Sequence, residues 1–130
     1  MLENSKAFSG IAVRDLEASR RFFGDTLGLQ VDDGEMGMLV LRTGSGRPVL
    51  LYPKPDHVPA SFTVLNFPVD DVAATVAALT ERGVPFEHYE GTPVQTDDDG
   101  VFRGGGPLIA WFTDPSGNVM SVIQGPGIEG

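Results

Sequence analysis

Residues 10–16, Gly-Ile-Ala-Val-Arg-Asp-Leu, return in altered form as residues 66–72, Asn-Phe-Pro-Val-Asp-Asp-Val. Ile11 aligns with Phe67, so the two stretches lie 56 positions apart. Self-similarity at a fixed spacing is typical of one structural unit used twice. The sequence therefore predicts a chain built from two copies of the same module.

The limits of the two modules follow from how far the similarity extends on either side. We place the first at about 8–53 and the second at about 62–124, with a linker at 54–61 that is rich in proline. The chain has 130 residues, which is the usual size of one domain. We therefore expect a single domain, 1–130, made of two modules.

Each copy predicts the same order of elements. An alternating strand comes first, at 8–14 and at 62–70, and a helix with an apolar stripe follows it. Asp15 and Asp71 precede these helices and are predicted to cap their first turns. Gly28 follows the first helix, at a position that favours positive φ.

Three further strands complete each module. They are predicted at 29–33, 36–42 and 48–53 in the first, and at 84–89, 101–103 leading into 107–113, and 119–124 in the second. The predicted fold class is α+β, with two βαβββ modules. A helix covers one face of each small sheet, and the open faces are expected to form a cup-shaped, pseudo-symmetric sheet.

Composition excludes several kinds of site. The chain has no cysteine and two histidines, so disulfides, thiolate metal sites and a cysteine nucleophile are absent from it. The net charge is −9, and from Ser61 onward ten acidic residues face two basic ones. This balance disfavours nucleic acids and anionic membranes as partners. It either attracts cationic ligands or simply keeps the protein soluble.

Without a visible targeting signal or an apolar run of membrane-spanning length, we expect a cytoplasmic protein.

Three segments together resemble the vicinal oxygen chelate superfamily of glyoxalases, bleomycin-resistance proteins and extradiol dioxygenases. They are residues 13–29, residues 69–84 and the turn Asp-Pro-Ser-Gly-Asn at 114–118. The resemblance covers nearly the whole chain and implies the paired βαβββ fold of that superfamily. It also suggests a homodimer, because modules of this kind can pair across two chains.

In metal-binding members the resemblance places ligands on the first and last strands of each module. The matching positions here hold Phe8, Leu50, Val64 and Ser121. A phenyl ring and two aliphatic chains offer no lone pair to a divalent ion, and one neutral hydroxyl would not hold it. We therefore expect no metal and no other cofactor.

The favoured function is a metal-free small-molecule binding protein that sequesters an unidentified ligand. The alternative is a lyase, isomerase or dioxygenase with a relocated metal, for which His88 and Glu90 are candidates; whether the chain is an enzyme stays open. No catalytic residue is predicted. The residues expected to line the ligand pocket are Phe8, Leu50, Val64, Asn66, Ser121, Arg42, Tyr52 and Trp111.

Overall fold

A computed structural model describes residues 1–125 of the chain. The fold is α+β, as predicted, and it divides into two compact units. The first runs from Met1 to Val58 and the second begins at Pro59. Within residues 1–125, no helix combines the length and the apolar character that crossing a membrane requires.

The first unit follows the order strand, helix and three strands. Its elements are β1 (Ser9–Val13), α1 (Leu16–Arg20), a π-helical segment (Arg21–Thr26), β2 (Gln30–Asp33), a short 3-10 turn (Glu35–Gly37), β3 (Leu39–Arg42) and β4 (Val49–Pro53). The sheet order is β1-β4-β3-β2, with β1 parallel to β4 and the other pairs antiparallel. Alternate residues of the strands, among them Val13, Leu41 and Leu51, are buried together with Phe23.

The first helix changes character in its second half, which the sequence did not predict. Leu27 donates its backbone N–H to the carbonyl of Phe22, five residues back, at 2.9 Å. The turn is wider than an α-helical turn, and it places Phe22 and Phe23 edge to face with ring centres 5.2 Å apart. Phe23 is thereby fully buried, while Phe22 is only half-buried.

The second unit has a smaller sheet. Its elements are β5 (Thr63–Pro68), α2 (Val72–Glu81), β6 (Leu108–Thr113) and β7 (Val119–Gln124), in the sheet order β5-β7-β6. β5 runs parallel to β7, and β6 runs antiparallel to it. Phe112 and Met120 on the sheet are buried in the same core as Val72 on the helix.

The prediction of a full strand at 84–89 and of another near 101–103 was wrong. Each segment makes one isolated bridge instead, Phe86 with Phe112 and Phe102 with Ile109. Pro85 has no N–H to donate to a ladder, and Tyr89 has a φ of 49°, which takes the chain out of extended geometry. Within residues 1–125, the second sheet therefore has three strands rather than four.

Both predicted helix caps are confirmed. Asp15 accepts a hydrogen bond from the N–H of Ala18 at 3.1 Å, and Asp71 accepts one from Ala74 at 3.0 Å. Each carboxylate satisfies one of the N–H groups that a helix N-terminus leaves without a partner. Gly28 has a φ of 80°, as its position after the helix predicts.

Candidate functional site

Strand register identifies which predicted pocket residues share a face of the first sheet. Leu50 lies beside Gly10, and Tyr52 beside Ala12, on the parallel strands β1 and β4. Registered neighbours point to the same side of a sheet, so these four residues share the face opposite to buried Leu51. Two predicted pocket residues, Leu50 and Tyr52, are thus brought to one face.

Tyr52 keeps two-fifths of its surface exposed. Its ring lies over Gly10, where an added Cβ would sit 3.6 Å from the ring edge. Phe8 precedes β1 rather than belonging to it, and it is 59% exposed. The expectation that the first strand includes Phe8 was therefore wrong, and β1 does not fix the direction of its side chain.

Arg42 is on the same face, at the far end of the sheet. Its guanidinium Nε donates to Asp32 Oδ2 at 3.0 Å, and the Gln30 amide donates to the same carboxylate at 3.1 Å. These two donors, Gln30 more than Arg42, hold the pKa of Asp32 below its ordinary value. Arg42 therefore forms an ion pair with Asp32 while half of its side chain stays exposed to solvent.

The face of the second sheet opposite to buried Phe112 and Met120 holds three other predicted residues. Asn66, Ser121 and Trp111 are registered neighbours across β5, β7 and β6. Ser121 is completely buried and donates its hydroxyl to Asn66 Oδ1 at 2.5 Å. These three residues, each expected from the sequence to line the pocket, therefore share one face of this sheet.

Val64 departs from the regular alternation that was assumed for it. The register of β5 against β7 shifts between Thr63 and Leu65, and this leaves Val64 in a β-bulge. Thr63, not Val64, is the registered neighbour of Val119, two residues before Ser121 and so on the face of Ser121. The bulge is an irregularity in the pairing of β5 with β7, and no local sequence pattern predicts it.

The residues at the metal positions that the resemblance implies do not fit a metal ion. Phe8, Leu50 and Val64 have no donor atom, and the Ser121 hydroxyl is engaged with Asn66. Residues 1–125 contain no group of three or more His, Asp or Glu side chains placed to hold an ion.

The alternative pair, His88 and Glu90, is exposed on an irregular segment. Nδ1 of His88 lies 3.3 Å from the hydroxyl of Thr96, whose N–H donates to the His88 carbonyl at 2.8 Å. The assumption that a strand carries His88 and Glu90 on one face fails with the strand itself. Two exposed donors without a third do not make a metal centre.

Sequence reasoning missed the residues around Trp111. The ring of Tyr89 lies edge-on to the indole, with centres 5.2 Å apart, and the ring of Phe102 lies 6.0 Å away. Glu87 donates its N–H to the Trp111 carbonyl at 2.8 Å. Burial, and secondarily the negative charge of Glu87, raises the pKa of the Tyr89 phenol. No periodic signal marks these contacts, because all three come from segments outside regular strands.

The fold and these faces define a protein of a known class. The profile of the Glyoxalase/Bleomycin resistance protein/Dioxygenase superfamily matches residues 7–122, so the chain belongs to this superfamily. No curated protein sequence matches the chain.

Among solved structures, the chain is 28% identical to TnmS3, an antibiotic binding protein from Streptomyces sp. CB03234, with a TM-score of 0.66. The match covers 91% of this chain and 93% of that one. A glyoxalase/bleomycin resistance protein from the same organism is 29% identical, with a TM-score of 0.63, and the match covers 92% and 100% of the two chains. A glyoxalase family protein from Enterococcus faecalis shares the fold at 22% identity and a TM-score of 0.65, over 95% and 99% of the chains.

Proposed function

We propose that this chain is a small-molecule binding protein that sequesters its ligand without a metal ion. The observation that carries the proposal is its likeness, over nine-tenths of its length, to an antibiotic binding protein at 28% identity. The donor set supports the same view, because the superfamily's metal positions hold side chains without suitable lone pairs.

The ligand that we propose is flat, partly apolar and positively charged. The residues proposed to contact it are apolar or aromatic with a few polar groups, which is the usual make-up of a small-molecule site. They are Phe8, Arg42, Leu50, Tyr52, Val64, Asn66, Trp111 and Ser121. The charge of the second unit, with ten acidic against two basic residues from Ser61 onward, favours a cation.

Sequestration and catalysis are separated by what happens to the ligand. We suggest incubating the purified chain with metal-free bleomycin, with an anthracycline and with a neutral anthraquinone, each in excess chelator. The bound compound is then released by denaturation and its mass is measured. Binding of at least one cationic compound, recovered with unchanged mass, supports sequestration. A changed mass would show an enzyme, and the absence of binding by all three would contradict the proposal.

We also propose that the chain forms a homodimer, as the superfamily resemblance suggests. Exposed aromatic side chains such as Phe8, 59% exposed, and Phe62, 69% exposed, are available to an interface. Sedimentation velocity at micromolar concentration tests this. A species of twice 13.8 kDa supports the dimer, and a species of 13.8 kDa contradicts it.

A further inference from the structure

Glu87 and Trp111 lie side by side at the edge of the second sheet. Phe86 forms an antiparallel bridge with Phe112, and the next residue, Glu87, donates its N–H to the Trp111 carbonyl at 2.8 Å. Residues opposite each other on antiparallel segments point to the same side. The Glu87 carboxylate therefore leaves the chain on the face that carries the indole, which is the face opposite to buried Phe112.

Two further rings extend this face around the indole. Tyr89 lies edge-on to Trp111 at an interplanar angle of 69°, and Phe102 lies at 46° with its ring centre 6.0 Å away. Phe102 is the bridge partner of Ile109, which lies two residues before Trp111 and so on the same face. All three aromatic residues are half-buried, so each keeps part of its surface exposed to solvent.

The position of Phe102 is fixed by its neighbours. Gly104 passes so close to the Phe102 ring that an added Cβ would lie 2.6 Å from it. The next residue, Arg103, binds Asp97 at 2.7 Å and Asp99 at 3.0 Å and thereby closes the loop that carries Phe102. These contacts hold the loop that carries Phe102, and such ordering in the free protein lowers the cost of binding.

We propose that Trp111, Tyr89 and Phe102, with the carboxylate of Glu87, bind a planar aromatic cation. This inference rests on the proposed function. The ring faces supply stacking and cation–π attraction, and Glu87 supplies an opposite charge at the edge of the same surface. A neutral ligand of the same shape gains only the stacking, without the cation–π attraction or the attraction to Glu87. Positive charge is therefore the property that this site selects.

Ethidium, a planar aromatic cation, and phenanthridine, the same ring system without charge at neutral pH, are suitable probes. Binding of each to the full chain is measured by calorimetry. Quenching of the tryptophan fluorescence then locates the probe, because Trp111 is the only tryptophan in the chain. We expect saturable ethidium binding with quenching of Trp111, and weaker binding of phenanthridine.

The decisive comparison is between Glu87→Gln and Glu90→Gln. Both substitutions remove one negative charge from the same segment, but only Glu87 is placed opposite Trp111. We expect Glu87→Gln to weaken ethidium binding about threefold to tenfold, with phenanthridine unaffected and Glu90→Gln close to wild type. Trp111→Leu should weaken both probes, and Trp111→Phe should retain part of the affinity.

Three results would overturn the inference. They are the absence of ethidium binding, equal affinity for the two probes, and equal effects of the two glutamate substitutions. If an antibiotic from the panel above binds while Glu87→Gln and Trp111→Leu leave its affinity unchanged, the inference fails and the proposed function stands. If no antibiotic binds, the proposed function fails whatever ethidium does.

Discussion

The buried hydroxyl of Ser121 donates to the exposed side chain of Asn66, its registered partner on β5. The two ends of this hydrogen bond differ in their access to water. Ser121→Ala leaves an exposed amide that water can satisfy, so we expect a loss of about 1 kcal/mol in the free energy of unfolding. Asn66→Ala removes the acceptor from a buried hydroxyl, and we expect a larger loss of about 1–3 kcal/mol. Urea unfolding measures both, and a larger loss for Ser121→Ala would contradict this description.

The two helix caps give a second prediction. Asp15→Ala and Asp71→Ala should each lower the free energy of unfolding by about 1 kcal/mol, because each leaves an N–H of the first turn without its side-chain acceptor. Asp71→Asn keeps an acceptor oxygen and serves as the matched control. Thermal unfolding should place Asp71→Asn close to wild type, and equal losses for the Asn and Ala variants would argue against capping.

Substituting two glycines by alanine distinguishes the cost of backbone strain from the cost of a steric clash. Gly83 and Gly117 have φ values of 89° and 84°, but only Gly117 has a neighbour in the way, with Pro59 Cγ 2.9 Å from an added Cβ. Gly83→Ala should therefore cost about 1–2 kcal/mol of stability from strain alone. Gly117→Ala should cost about 1–3 kcal/mol more, because Pro59 must move. If chemical denaturation gave equal stability losses for the two variants, Pro59 would have to move aside at no cost in free energy.

Acid should abolish the effect of the ion pair that closes the loop at 97–103. The hydrogen bond from Arg103 lowers the pKa of Asp99, so the pair adds stability above the unfolded pKa of about 3.9 and loses it as the pH falls through the lowered pKa. Arg103→Gln should reduce the melting temperature slightly at pH 7, and the difference from wild type should vanish in strong acid. Arg47→Gln, with the same charge change in the first unit, is the control. A difference that grows toward low pH would contradict the assignment.

Local chemistry explains which parts of the fold were predictable. Asp15 and Asp71 each cap a helix by accepting a hydrogen bond from an N–H three residues further along the chain. Gly28 adopts a positive φ, which depends on that residue alone. Such features depend on short stretches of chain, so a single sequence reveals them. Asn66, Ser121 and Trp111 were each expected to line the pocket, and they lie on one face because simple alternation holds along the paired parts of their strands.

The features that were missed depend on contacts between distant segments. The bulge at Val64 is set by the pairing of β5 with β7, and the failure of the strand at 84–89 by Pro85 and by the turn at Tyr89. The neighbours of Trp111 come from two segments that touch β6 through single bridges. Pairing between remote segments has no local signature, and register errors move side chains to the opposite face.

Metal-independent binding is tested most directly by calorimetric titration of the chain, with and without excess chelator, with a metal-free compound that binds in the panel above. Saturable binding is expected, with the same affinity in the presence and in the absence of chelator. Heat that does not saturate, or binding that disappears when chelator is present, would contradict it.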